Sequence, residues 1–216
     1  MWLVWTSRNN RIHGDSSTNL TQACRWAHDM ASDLMLNAKP QGEGTKTKTK
    51  TYWQRPQEGY YKINVDAAFN SKDEKGASGV IIRDADGTVV AASSKWYDSV
   101  PNVLTAEALA CRDGAKMMKI LNIRQGTMET DSQELVSFWR SRKHHRASIL
   151  SIINEIQELV EGCSGFDIYH VKREANIATH KVAKFASESN PECAWIHQVP
   201  DSILRCTRQD CNHVTS

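Results

Sequence analysis

The segment Tyr60-Tyr-Lys-Ile-Asn-Val-Asp-Ala-Ala-Phe69 decides the fold, because its side chains alternate regularly in character. Apolar side chains at positions 61, 63 and 65 alternate with polar ones at positions 62, 64 and 66. A two-residue period is typical of a β-strand with one buried face. The segment therefore predicts a strand that carries Asp66 on its polar face.

Two more strands are predicted directly after this one. The glycine-containing residues 76–79 lead into the apolar residues 80–83, and residues 84–87, Asp-Ala-Asp-Gly, give a turn signal before the apolar residues 88–92. Short apolar runs separated by such a turn are typical of antiparallel neighbours. The three strands together predict a meander.

Beyond Leu104 the apolar period changes to that of a helix, which is predicted to run to about Leu121. The following segments read in turn as a strand at 127–130, a helix from 132, an amphipathic helix at 149–160, a strand at 166–171 and a helix at 175–187. The resulting order, βββαβαβα, predicts an α/β fold with a five-stranded mixed sheet and helices on its faces.

The whole chain has an ordinary globular composition. It has 216 residues, a formal net charge of +2 and 40% hydrophobic residues. No apolar run approaches the roughly 18–20 residues that cross a bilayer, so we expect neither a signal peptide nor a membrane anchor. Six widely spaced cysteines predict no disulfide framework and favour an intracellular, reducing compartment, with nucleus and cytoplasm not distinguished.

The chain divides into four parts by composition. Residues 39–52 are rich in Gly, Thr and Lys and predict a flexible linker. Residues 1–38 form an N-terminal extension with a helical pattern at 18–37. Residues 53–188 contain the predicted α/β domain, and residues 189–216 are interpreted as a C-terminal tail.

Three acidic residues occupy related places in these elements. Asp66 lies inside the first strand, Glu107 in the first turn of the first long helix, and Asp131 at the end of the fourth strand. If the first and fourth strands are neighbours, the three carboxylates converge, and they then need divalent cations to offset their repulsion. Hard oxygen ligands favour Mg²⁺ or Mn²⁺. Each acid alone fits a solvated surface group, so the hypothesis depends on the three together.

Five motifs occur in an order that resembles ribonuclease H type 1 domains. They are Asn64-Val-Asp-Ala-Ala-Phe69, Gly76-x-x-Gly79-Val-Ile-Ile-Arg-Asp84, Ala106-Glu107, Thr130-Asp131-Ser132-Gln133 and His170-x-x-Arg173-x-x-Asn176-x-x-x-His180. The resemblance is greatest to the plant ribonuclease H-like domain at the end of reverse transcriptases of non-LTR retroelements. It covers about residues 53–188 and implies a ribonuclease H-like fold.

The resemblance also implies an activity. The chain is expected to be a two-metal endonuclease that cuts the RNA strand of RNA/DNA hybrids with two Mg²⁺ or Mn²⁺ ions. Asp66 would bridge both ions, and Glu107 and Asp131 would complete their coordination. His170 would assist product release or proton transfer, and Asn176 would position the substrate.

The sequence departs from the family pattern at two positions. His180 stands where the enzymes usually have a fourth carboxylate, so it is a candidate ligand for a more weakly held second ion. Ala67 replaces the glycine that commonly follows the first aspartate. Two alternatives to the nuclease therefore stay open: a weakly active or inactive nucleic-acid-binding domain of the same fold, and a structural protein-interaction domain.

A basic cluster at residues 140–146 is the candidate contact to the hybrid. Its permanent charges are Arg140, Arg142, Lys143 and Arg146. Because the segment between the helices is short, we expect modest and salt-sensitive binding. A solvated helix end, with cations placed favourably near the C-terminal dipole, explains the same cluster equally well.

Overall fold

The computed structural model describes residues 52–141, 147–189 and 192–211. The predictions for residues 1–38 and for nearly all of the 39–52 linker lie outside these residues, as do Arg142, Lys143 and Arg146. The strands are β1 (Tyr61–Asn70), β2 (Lys75–Arg83), β3 (Val89–Tyr97), β4 (Gly126–Thr130), β5 (Ile168–His170) and β6 (Cys193–Ile196). The helices are α1 (Val103–Ile120), α2 (Gln133–Ser141), α3 (Ala147–Leu159), α4 (Ile177–Ser189) and α5 (Asp201–Cys211), and a short 3₁₀ turn spans Arg173–Ala175.

A single mixed sheet organises the described residues, in the strand order β5-β4-β1-β2-β3-β6. The meander pairs β1 with β2 and β2 with β3 in antiparallel fashion, whereas β4 lies parallel to β1 and β5 parallel to β4. The predicted α/β class, the meander and the neighbouring first and fourth strands are thus confirmed.

The sheet has six strands, and the prediction of five was wrong. Residues 193–196, which the sequence placed in a tail, form β6 and pair antiparallel with β3. Trp195 of this strand is buried with Val182 of α4 and Ile203 of α5 in one apolar cluster. The C-terminal segment is therefore packed onto the sheet, because its few apolar side chains find a partner face on β3 and α4.

The main core lies on the opposite face of the sheet. Ile63 and Val65, the apolar side of the alternating segment, pack there with residues of α1 and α3 such as Ala108 and Ile153. The side chains of Asn64 and Asp66 point to the face that α4 covers, where they bond Trp53 and His180. The two-residue period of β1 thus places its apolar and polar side chains on opposite faces of the sheet, as predicted, with Asp66 on the α4 face.

α4 approaches the sheet closely because β2 has a glycine beneath it. A Cβ atom at Gly79 would lie 2.5 Å from the backbone nitrogen of Ala183 and 2.7 Å from the carbonyl oxygen of Thr179. Gly79 pairs with Asp66 across the β1–β2 ladder. The missing side chain therefore sets how near α4 comes to Asp66.

A buried polar network fixes the start of the domain to β1 and β4. The Trp53 indole N–H donates to Asn64 Oδ1 (2.9 Å), and Asn64 Nδ2 donates to Glu129 Oε2 (3.0 Å). Lys62 forms an ion pair with Glu129 (2.8 Å), and the Arg83 guanidinium lies 3.9 Å from the centre of the Trp53 ring. Because Asn64 and Lys62 of β1 both bond Glu129 of β4, the network stabilises the register in which Asn64 and Glu129 are partners.

Within the described residues, no helix is long and apolar enough to cross a membrane.

Candidate metal centre

Three separate elements bring Asp66, Glu107 and Asp131 together. Asp66 and Asp131 lie two residues beyond the parallel pair Asn64–Glu129, so they stand level on neighbouring strands. Glu107 is presented by α1, whose start is fixed by Asn102, because Asn102 Oδ1 accepts a hydrogen bond from the Thr105 N–H (2.9 Å). One oxygen from each carboxylate lies within 4.8 Å of the others. The predicted convergence is confirmed.

The site is buried and strongly acidic. Asp66 is 2% exposed and Glu107 is 7% exposed. Burial, and then the charges of Asp66 and Asp131, hold the pKa of Glu107 well above its usual range. Burial also raises the pKa of Asp66, against the opposing effect of its hydrogen bond to His180. Such repulsion among desolvated carboxylates is relieved when a cation binds between them.

Glu107 gives an independent indication of an ion site. Its Oε2 atom is buried and has no hydrogen-bond partner among the described residues. An unpartnered buried carboxylate oxygen is costly, so native structures keep one mainly where a ligand or ion completes it. The oxygen-only donor set suits a hard divalent cation, and the three residues fit Mg²⁺ or Mn²⁺.

His180 lies beside the cluster and makes contacts through both ring nitrogens. Nδ1 is 2.7 Å from Asp66 Oδ2, and Nε2 is 3.0 Å from Nη2 of Arg173. In the described part of the chain, the group of side chains positioned to share an ion consists of the three carboxylates without His180. Metal ligation by His180 stays a prediction.

Asn176 is buried rather than available on the surface. It is 1% exposed, and its Nδ2 donates to the carbonyl oxygen of Val65 (2.9 Å). Its backbone carbonyl accepts from the His180 N–H (3.0 Å). Asn176 thus connects the start of α4 to β1 next to Asp66, and its predicted contact with substrate stays a prediction.

The remaining predicted residues lie on the β5 side of the sheet. His170 ends β5 with an exposed side chain and pairs with Thr130, the residue before Asp131. Arg140, in the last turn of α2, has its guanidinium 5.8 Å from the centre of the Tyr169 ring. Neither belongs to the carboxylate group, and their roles stay predictions.

Sequence reasoning assigned no role to Arg173, although the residue is part of the last quoted motif. Its side chain reaches His180, and its positive charge acts to lower the pKa of Glu107. The signal that could have found it was its spacing of seven residues from His180, which spans the 3₁₀ turn and the first turn of α4.

The strand order, the helices on both faces and the level carboxylates define a ribonuclease H-like domain. The chain belongs to the reverse transcriptase-like family, whose model matches residues 64–186, more than half of the chain. The predicted resemblance to ribonuclease H is therefore confirmed.

Solved structures support the same fold. Ribonuclease H1 from Halobacterium salinarum is 20% identical, and the match covers 60% of this chain and 98% of that one with a TM-score of 0.56. The N-terminal ribonuclease H domain of a Mycobacterium tuberculosis protein is 21% identical, with 60% and 94% covered and a TM-score of 0.56. LC11 ribonuclease H1, solved in complex with an RNA/DNA hybrid, is 16% identical, with 57% and 94% covered and a TM-score of 0.53. No curated protein matches the chain.

Proposed function

We propose that this protein is a metal-dependent endonuclease of retroelement origin that cleaves the RNA strand of RNA/DNA hybrids. The observation that carries the proposal is the convergence of three carboxylates, with the unpartnered oxygen of Glu107 among them. The reverse transcriptase-like family and the ribonuclease H fold favour this substrate over other phosphodiesters.

Asp66, Glu107 and Asp131 would hold the divalent ion or ions. When bound, such ions generate a hydroxide nucleophile near neutral pH and stabilise the leaving oxygen of a phosphodiester. The protein contributes fixed geometry: β1 and β4 hold two carboxylates level, and α1 holds the third. Burial of Asp66 and Glu107 keeps bulk water away from the donor atoms, which strengthens their electrostatic effect.

Substrate contact would come from cations near the β5 edge. Arg140 is exposed at the end of α2, the helix that follows Asp131. Its guanidinium lies over the Tyr169 ring, which is 43% exposed. A cation and an aromatic face on one surface suit a nucleic-acid backbone and its bases, with affinity that falls as salt rises.

A cleavage assay tests the proposal. The full chain should cut the end-labelled RNA of a hybrid in Mg²⁺, stop when EDTA is added, and leave double-stranded DNA intact. Asp131→Asn should reduce cleavage to background, because it removes one charge from the cluster. Asp86→Asn, the same change in the exposed turn after β2, should leave cleavage unchanged. Equal loss in both variants, or cleavage unaffected by EDTA, would overturn the proposal.

A hybrid-binding module without nuclease activity is the second candidate. The observation that favours it is His180, which stands at the fourth carboxylate position and is engaged by Asp66 and Arg173. Hybrid binding in a gel-shift assay without Mg²⁺-dependent cleavage would select this function. Absence of both binding and cleavage at low salt would leave the protein-interaction alternative.

A further inference from the structure

We propose that His180 is a positioning residue for Asp66, fixed by Arg173, and that the site holds a single tightly bound cation on its three carboxylates. The inference rests on the proposed cation site, and it reassigns the residue that occupies the fourth position.

The hydrogen-bond chemistry determines which nitrogen of His180 carries the proton. An arginine guanidinium has donors only, so the 3.0 Å contact from Arg173 Nη2 makes His180 Nε2 the acceptor. In the neutral ring the proton is then on Nδ1, which donates to Asp66 Oδ2 over 2.7 Å. Both ring nitrogens are used, and no lone pair is left to bind a cation.

The backbone around His180 holds this arrangement in place. Asn176 connects the first turn of α4 to the carbonyl of Val65, the residue before Asp66. Gly79 allows the backbone at Thr179 and Ala183 to approach β2, which pairs with β1. The Asn176 hydrogen bond and the close approach at Gly79 therefore both position α4 so that His180 lies at hydrogen-bond distance from Asp66. A residue that orients a metal ligand must be held in this way.

The positive charge of Arg173 explains how the negative charge of the three carboxylates is offset without a second tightly bound ion. Three carboxylates carry a formal charge of −3, and one divalent cation with the Arg173 guanidinium supplies +3. The charge of Arg173 acts to lower the pKa of Glu107, which belongs to the same cluster. The Arg173 guanidinium, 3.0 Å from His180 Nε2, thus supplies part of the positive charge that a second cation would provide.

The tautomer can be measured directly in the full chain. Long-range ¹H–¹⁵N correlation spectra should show His180, assigned by comparison with His180→Gln, as the Nδ1–H form. Saturating Mg²⁺ should leave the ring in this form, with no shift of Nε2 typical of a metal ligand. The Nε2–H form, or a coordination shift at either nitrogen, would overturn the proposal.

Calorimetric titration with Mn²⁺ tests the ion count. The unmodified protein should bind one ion tightly. His180→Ala should keep that stoichiometry but weaken binding by about 10- to 100-fold, the usual effect of losing a group that orients a ligand. His180→Asn, whose amide nitrogen can take the place of Nδ1 and donate to Asp66, should restore part of the affinity.

Arg173→Ala separates the two roles of His180. It removes a positive charge and frees Nε2, so the variant should bind a second Mn²⁺ that the unmodified protein does not. Arg55→Ala, which removes an exposed arginine elsewhere, should not change the count. Two tight ions in the unmodified protein, falling to one in His180→Ala, would show that His180 is a ligand and refute the proposal.

These readouts distinguish failure of the inference from failure of the proposed function. Single-ion binding with the expected variant pattern but no hybrid cleavage would refute the nuclease and leave His180 as a positioning residue. Absence of any bound Mn²⁺ would overturn both.

Discussion

Replacement of Gly79 by alanine probes the contact that sets the height of α4 above the sheet. The new Cβ would lie 2.5 Å from the Ala183 backbone nitrogen, and an ordinary contact begins near 3.4 Å, so the helix must move by about 0.9 Å. The obstructing atoms belong to the backbone and cannot rotate away. We therefore expect the upper end of the overpacking range, about 3 kcal/mol lost from the free energy of unfolding.

Thermal unfolding measures this loss. For a chain of this size about 3 kcal/mol lowers Tm by about 6–12 °C. The matched control is Gly126→Ala, also in a strand, where the nearest atoms are the side-chain ends of Ile63 and Met118 at 3.1 and 3.2 Å and the carbonyl oxygen of Tyr61 at 3.2 Å, none of them closer than 3.0 Å. That change should cost about 1 kcal/mol, the lower end of the same range. If Gly79→Ala were no more destabilising than Gly126→Ala, the close packing of α4 on β2 would be refuted.

The same substitution should affect function separately from stability. A displacement near 1 Å at a catalytic group can cost about 100-fold in rate, and α4 carries His180 to Asp66. Hybrid cleavage measured well below the lowered Tm should therefore fall much more for Gly79→Ala than for Gly126→Ala. Equal rates in the two folded variants would show that the position of α4 does not matter to the site.

Three further predictions concern other parts of the chain. The pKa of Glu107 is raised in the metal-free fold, so this group's contribution to stability is complete below its ordinary pKa of 4.5 and is lost as pH rises through the raised value; Tm without metal should therefore fall as pH rises. In thermal scans Glu107→Gln should make this fall shallower, and an unchanged slope would refute the role of Glu107. Burial raises the pKa of the Cys193 thiol to about 11, so iodoacetamide at pH 8 should not label it in the native protein. Mass spectrometry detects the label, and rapid labelling of Cys193 would contradict the packing of β6. Trypsin should cut the predicted linker first, after Lys46, Lys48 or Lys50, and native resistance there would show a packed segment.

Much of the fold could be predicted because its signals are local. The alternation in residues 60–69 gives β1 and the face of Asp66, and the change of period at Leu104 gives α1. The level placement of Asp66 and Asp131 followed once the two strands were taken as neighbours. These features depend on period and order, which a sequence displays directly.

β6 could not be predicted because its signal is short and depends on tertiary contacts. Residues 193–196, Cys-Ala-Trp-Ile, follow a polar stretch and are too few to show a clear period. Their strand forms because β3 offers an edge and α4 offers an apolar face. Such non-local pairing overrides weak local preference.

The roles proposed for His180 and Arg173 could also not be predicted from the sequence. The motif shows that an imidazole replaces a carboxylate, but spacing cannot tell whether its nitrogens face a cation or other side chains. The contacts to Asp66 Oδ2 and Arg173 Nη2 in the structure are the observations on which the proposed positioning role rests. The donor chemistry of arginine then gives the direction of each hydrogen bond.

The central claim is that Asp66, Glu107 and Asp131 form a site for a divalent cation. Crystals of the full chain grown with Mn²⁺, measured at the manganese absorption edge, test it most directly. The account predicts an anomalous peak at about 2.0–2.2 Å from oxygens of all three carboxylates, including Oε2 of Glu107. A peak that lies elsewhere, or no peak at saturating Mn²⁺, would contradict it.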